Sequence, residues 1–176
     1  MCECGVYLRP MTIDDTDDIV RWRNKESVRQ YFIYQEEFTR EGHLKWLETK
    51  VKTGEVVQFM IVEKAADRAV GSVFLRDIDR AHRKAEYGIF IGEDDARGKG
   101  YGSAAAGLML DYAFHELKLH RVYLRAFADN ERAIASYQKA GFQIEGLLVD
   151  DVYVRDTFRN IVWMAAINPD DTYEKR

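Results

Sequence analysis

Proline and cysteine are scarce in this 176-residue chain, with two of each. Both cysteines, Cys2 and Cys4, lie at the amino end. Two thiols with no second pair make neither a disulfide framework nor a four-ligand zinc site, so they read as reduced, dispensable thiols. Twelve glycines and two prolines are too few for a collagen-like or low-complexity chain. No apolar run approaches the roughly 20 residues a membrane helix needs, and MCECGVYLRPM lacks the basic-then-apolar layout of a signal peptide, so a cytoplasmic protein with no membrane partner is expected. Neither charge sign is gathered into a block. Lys and Arg number 26 against 30 Asp and Glu, a net charge of -4. That balance gives no electrostatic reason to expect nucleic-acid binding, and it would suit a cationic small substrate. The four histidines, His43, His82, His115 and His120, show no metal-pair spacing, and no metal is expected.

What the chain does have is the material for a core. Hydrophobic residues make up 47% and aromatics 12%, enough for one compact domain over 1–176. A short strand at Val6 to Arg9 closes at Pro10. Thr12 with Asp15 three residues on caps a helix toward Lys25, and a second helix is expected from Thr39 to about Thr53, ending at Gly54. The β-branched runs at 56–63 and 69–78 form an antiparallel hairpin, followed by a third strand at 85–92 that Gly88 interrupts, as at a bulge or close backbone approach. RGKGYGSAAAGLMLDYAFHELKL is a glycine turn entering a helix. Then come a strand at 120–130, a helix capped by Asn130 and stopped by Gly141, and closing strands at Phe142 to Asp150 and Arg159 to Ile167.

Two features suggest chemistry. Arg97, Gly100 and Gly102 form R-x-x-G-x-G at a helix start, where unpaired N–H groups and the helix dipole favour a phosphate; a tight turn with no ligand is the plain alternative. Tyr137 falls about two turns beyond Asn130, so its hydroxyl can reach the same crevice or its ring can simply fill core.

Taken together, R-x-x-G-x-G before a helix, the following strand, Asn130, Ala133, Tyr137 and Gly141-Phe142 resemble the acetyl-CoA half of the GCN5-related N-acetyltransferase superfamily, over about residues 84 to 145. RKAEYGIFI, LHRVYLRAFADNERAIASYQKAGFQIEGLLVDDVYV and RNIVWM are similar to the subgroup acting on ribosomal-protein N-termini and polyamines. RWRNKESVRQYFIYQEEFTREGHLKWLE resembles acetyltransferases for nucleotide-linked amino sugars.

The resemblance implies an α/β fold with a mixed, mostly antiparallel twisted sheet of about six or seven strands, flanked by about four helices and splayed near Gly88. It implies an acetyl-CoA-dependent N-acetyltransferase acting on a primary amine by direct attack, with a possible homodimer. Backbone amides of Arg97, Gly98, Lys99, Gly100, Tyr101, Gly102 and Ser103 would hold the pyrophosphate. Ile89, Phe90 and Ile91 would bond the pantetheine arm and the thioester oxygen, and Asn130 would steady the arm. Tyr137 would protonate the departing thiolate. Glu86 is the candidate general base, against a plain surface role pairing with Arg83 or Lys84; Glu145 and Asp150 are weaker candidates. Arg21, Arg23 and Arg29 would suit a sugar nucleotide's phosphates, and Glu36, Glu37 and Glu41 a polyamine; ordinary helix and loop surface is the equal alternative for both sets. Two rivals stand beside this reading: a non-catalytic acyl-CoA sensor, and a dinucleotide-binding oxidoreductase, since Gly100, Gly102 and Ala105 also satisfy G-x-G-x-x-A.

Overall fold

The computed structural model describes residues 5–171, so Cys2 and Cys4, expected to be reduced thiols, lie outside the described residues. Strand β1 (Val6–Pro10) leads through a 3-10 turn into α1 (Thr16–Asn24) and the single turn α2 (Glu26–Arg29). The Thr12 amide donates to Asp15 at 2.8 Å, as the capping pattern predicts, and Arg9 clasps that carboxylate at 2.6 Å. The second helix, α3 (Arg40–Trp46), takes the Gly42 amide on its Thr39 cap and continues as a π-turn over Leu47–Val51.

The antiparallel strands β2 (Val57–Glu63), β3 (Arg68–Asp79) and β4 (Lys84–Ile91) follow, then α4 (Tyr101–His115), β5 (Arg121–Phe127), α5 (Glu131–Ala140), and the long hairpin β6 (Gln143–Val154) with β7 (Thr157–Ile167). That hairpin extends beyond the sequence-based bounds because Arg155 and Asp156 both turn through left-handed φ, at 54° and 61°. The seven strands run β1-β2-β3-β4-β5-β7-β6. Among the described residues five α-helices flank them, one more than expected, because the chain breaks at Lys25 between α1 and α2.

One seam in this sheet positions the site. Every neighbouring pair is antiparallel except β4 and β5, which are parallel and bridge only at Lys84/Arg121, Ala85/Val122 and Glu86/Tyr123. Beyond Glu86 the two strands diverge, leaving the main-chain groups that face the gap without a strand partner. The splay thus begins one residue before Gly88. Gly88 itself sits in regular register opposite Phe74, and its missing side chain makes room for that ring, since a Cβ there would lie 2.2 Å from it. A lone parallel pair in a hairpin-built sheet is not the parallel βαβ sheet that a dinucleotide fingerprint opens, which removes the oxidoreductase reading.

The main core packs α4 against this sheet through Ala105, Ala106, Met109 and Ala113, over Val73, Leu75, Val122 and Leu124. A second cluster, with Ile19, Trp22, Met60 and Phe90, seats α1 on the other face.

Candidate active site

A cavity of about 510 Å³ occupies the gap between β4 and β5. At one end lies the glycine turn. Gly98 and Gly100 take left-handed φ of 79° and 81°, a region that favours glycine, and Gly100 is the N-cap of α4. Gly102 is different: it lies inside the first helical turn, so it serves space rather than backbone angle. The first turn's amides, Tyr101, Gly102 and Ser103, precede the first intrahelical acceptor bond, Ala104 N–H to Gly100, and form an anion-seeking helix end.

Three side chains of the motif are tied to other parts of the protein. Arg97 donates to the Ile91 carbonyl at 3.2 Å and to Ser27 Oγ at 3.3 Å. Lys99 reaches Glu63 at 3.2 Å, as does the Tyr101 hydroxyl at 2.7 Å. Thus Arg97, Gly98, Gly100, Tyr101, Gly102 and Ser103 line the cavity, and Lys99 does not.

Asn130 caps α5, accepting from the Ala133 amide at 3.3 Å, and lines the same cavity. Ser103 and Ser136 hydroxyls meet at 2.9 Å and tie α4 to α5. From α5, Tyr137 meets the rings of Tyr87 and Phe142 edge-on, each with centroids 6.0 Å away, and also lines the cavity. Core filling and access to the crevice therefore coexist. Burial pushes the Tyr137 hydroxyl up to about 12, so it holds its proton at neutral pH. Tyr87, which the sequence reading passed over, is buried beside it, and its hydroxyl has no described partner.

Ile89, Phe90 and Ile91 form the β4 wall, and Glu86 stands where the strands part. Glu86 is only 5% exposed. It pairs with neither Arg83 nor Lys84. Instead Arg76 (Nη2, 3.1 Å) and Arg125 (Nε, 3.0 Å) hold it from β3 and β5. Burial disfavours its charge, but the hydrogen bonds from Arg76 and Arg125 prevail and hold the carboxyl below the ordinary glutamate value. Arg76 and Arg125 were missed in the sequence. The signal was there: each is a cation inside a mainly apolar stretch of strand, at VFLRDI and VYLRAF, and a charge drawn toward such a sheet calls for a partner.

The weaker candidates lie apart. Glu145 is bound by Arg121 at 2.7 Å, and neither it nor Asp150 lines the cavity. Arg21 serves Asp18 and Glu93, and Arg29 donates to the Gln35 carbonyl, so the three N-terminal arginines do not converge. Arg23 is buried among phenylalanines. Glu36, Glu37 and Glu41 line neither this cavity nor its neighbour. Among the described residues no three His, Cys, Asp or Glu side chains converge as a metal site, and no helix is long and apolar enough to cross a membrane.

A splayed seam with a glycine-capped helix at its mouth is the arrangement of the acetyltransferase (GNAT) domain, and the model of that family matches residues 6–143: this chain belongs to it. Among its relatives, the spermidine N(1)-acetyltransferase of Escherichia coli K12 is 33% identical over 160 residues, spanning 91% of this chain and 84% of that protein. The spermidine N(1)-acetyltransferase of Vibrio cholerae is 29% identical over 154 residues, 88% of each chain. The fold matches the crystal structure of spermidine N-acetyltransferase from Vibrio cholerae in complex with CoA and spermine, with a TM-score of 0.87 over 93% of this chain and 96% of that one, at 24% identity.

Proposed function

We propose that this protein transfers an acetyl group from acetyl-CoA to a primary amine by direct attack within a ternary complex. The observation that carries the reading is the cavity between β4 and β5, which joins the α4 helix end, the free edge of β4, Tyr137 and Glu86 in one space.

Backbone amides at Arg97 to Ser103 would take the pyrophosphate, Lys99 by its main chain alone. Asn130 and the Ile89 to Ile91 edge would take the pantetheine arm and the thioester oxygen. The amine nitrogen attacks the thioester carbon, the C–S bond breaks, and the sulfur takes the Tyr137 proton, which solvent later restores. A phenol of ordinary value about 10 is a weaker acid than a thiol at about 8.5, but the walls that lift the phenol lift a thiol bound there too, so the gap stays modest. Glu86, held ionised by two arginines, is a weak base; it would accept a hydrogen bond from the incoming ammonium, directly or through water, while the proton leaves to solvent. Neither Cys2 nor Cys4 is needed as an acyl carrier. The exposed apolar row Ile144, Leu147, Val149, Tyr153 and Phe158 supports self-association through the β6–β7 hairpin; the same Vibrio enzyme has a described dodecameric structure.

The test is calorimetry with acetyl-CoA together with thiol release on adding amines. Tyr137→Phe should lower turnover by about 100-fold while leaving coenzyme affinity within a few-fold. Coenzyme binding with no acetylation of any amine would indicate an acyl-CoA sensor.

A further inference from the structure

The relatives named spermidine acetyltransferases carry the name of a polycation, yet the cleft here is lined mainly by charge of that same positive sign. Arg76, Arg97, Arg125, Arg132 and Lys139 border the larger cavity, and Glu86 is its one carboxylate. Arg97, Arg132 and Lys139 belong to the α4 and α5 end, where phosphates are expected. At the acceptor end two guanidinium groups share a single carboxylate. Each uses Nε and one Nη on Glu86, so each five-donor fork keeps further N–H groups.

A third cation stands behind them. Arg23 is 8% exposed, and its guanidinium lies 3.3 Å from the ring centroid of Phe32 and 5.8 Å from that of Phe90, two rings that wall the cavity. No described carboxylate lies within 4 Å of it, and its Nη1 has no hydrogen-bond partner. The neighbouring cavity of about 420 Å³ continues from Arg76, Arg125 and Tyr34. Its two carboxylates each have a cation beside them: Glu55 pairs with Lys50, and the exposed Asp77 lies 3.9 Å from Arg76. A polyamine would bring two or three ammonium groups to walls where each described carboxylate already has a cation beside it, whereas an anionic substituent would meet donors already in place.

We infer that the acceptor is an amine bearing its own anion, a carboxylate or a phosphate, and that Arg76 and Arg125 bind that group while Arg23 adds to the attractive field. The inference rests on the acetyl-transfer reading above and narrows its substrate class.

Matched pairs that differ only in the anion test it: cadaverine against lysine, ethanolamine against phosphoethanolamine, glucosamine against glucosamine 6-phosphate, with spermidine alongside. The first pair reads carboxylate, the other two phosphate. Thiol release gives kcat/KM for each, and calorimetry on the CoA-loaded protein gives affinity for pairs that turn over slowly. In at least one pair the anionic member should exceed its counterpart by 10-fold or more and exceed spermidine, an advantage that shrinks as salt rises. Arg76→Gln and Arg125→Gln should bring that ratio near one, with retained coenzyme binding reporting a folded chain. Preference for spermidine, parity within every pair, or no binding of any anionic member overturns the inference while leaving acetyl transfer standing. Absence of coenzyme binding removes the acetyl-transfer reading itself and the inference with it.

Discussion

Replacing Arg23 by methionine should make this protein more stable. The guanidinium is buried, no described carboxylate balances it, and burial, aided by the charge of Arg76, lowers it from the ordinary arginine value to about 9. A fall of that size corresponds to ~5 kcal/mol of preference for the neutral form, and at pH 7 the group is still charged, so the folded state bears most of that cost. Local relaxation reduces the figure, and the faces of Phe32 and Phe38, at 3.3 and 4.4 Å, return ~0.5–2 kcal/mol each. Methionine keeps the stem's packing and discards the charge, leaving a net gain of about 1–3 kcal/mol for Arg23→Met.

The pH dependence has a definite sign. Below about pH 9 the group is charged in both folded and unfolded chains, so the advantage of Arg23→Met is flat. Above about 9 the unfolded chain still holds a proton the folded one has released, the parent's stability rises with pH, and the gap closes. Urea unfolding at pH 7 reads the effect as a higher midpoint at unchanged slope. A variant less stable than the parent by 1 kcal/mol or more, with the slope intact, would refute the reasoning. The same variant should lose part of any preference for anionic acceptors.

The remaining predictions concern neighbouring parts of the site. Gly100→Ala should cost about 1 kcal/mol of stability, because its space is open and only its φ of 81° resists a side chain; Gly102→Ala should stabilise the unliganded protein by up to ~1 kcal/mol through helix propensity yet weaken acetyl-CoA binding. Melting and calorimetry on both variants separate the two roles, and an unchanged affinity in Gly102→Ala would discount that position. His43 is buried with its Nδ1 3.2 Å from Thr16 Oγ1, and burial holds it below the ordinary imidazole value despite Asp15 nearby. The unfolded chain therefore protonates first as pH falls, so this contribution to stability is whole above about 6.5 and declines below it. His43→Gln should flatten the melting temperature between pH 6.5 and 5. Because Tyr137 keeps its proton and Glu86 its charge across neutral pH, kcat/KM should climb with unit slope toward each acceptor's own amine pKa; a shared break near pH 6–7 for acceptors of different basicity would restore a protein base.

Much of this architecture was written in local signals. The Thr12–Asp15 and Asn130 caps, the β-branched runs of β2 and β3 and the glycine turn entering α4 each depend on residues within one or two turns, while the family resemblance supplied the thirteen expected site residues, twelve of which line one cavity. Lys99 escaped because the direction of a long side chain is decided by Glu63, 36 residues earlier. The glycine pattern was visible, but which of Gly98, Gly100 and Gly102 needed a positive φ was not, since that depends on where the helix starts. Arg76, Glu86 and Arg125 come together only when three strands align, and the net charge of -4 pointed away from the local excess of cations.

The β4–β5 seam has a mechanical side. Three rungs join one half-sheet, β1 to β4, to the other, β5 to β7, and beyond them the strands have no grip on each other. A coenzyme arm lying in that slot would act as a removable eighth strand, stitching the halves while the cargo is aboard. Amide exchange along Tyr87 to Ile91 and Leu124 to Phe127 would then slow on loading and quicken on unloading, so that each catalytic cycle would tighten and loosen the framework.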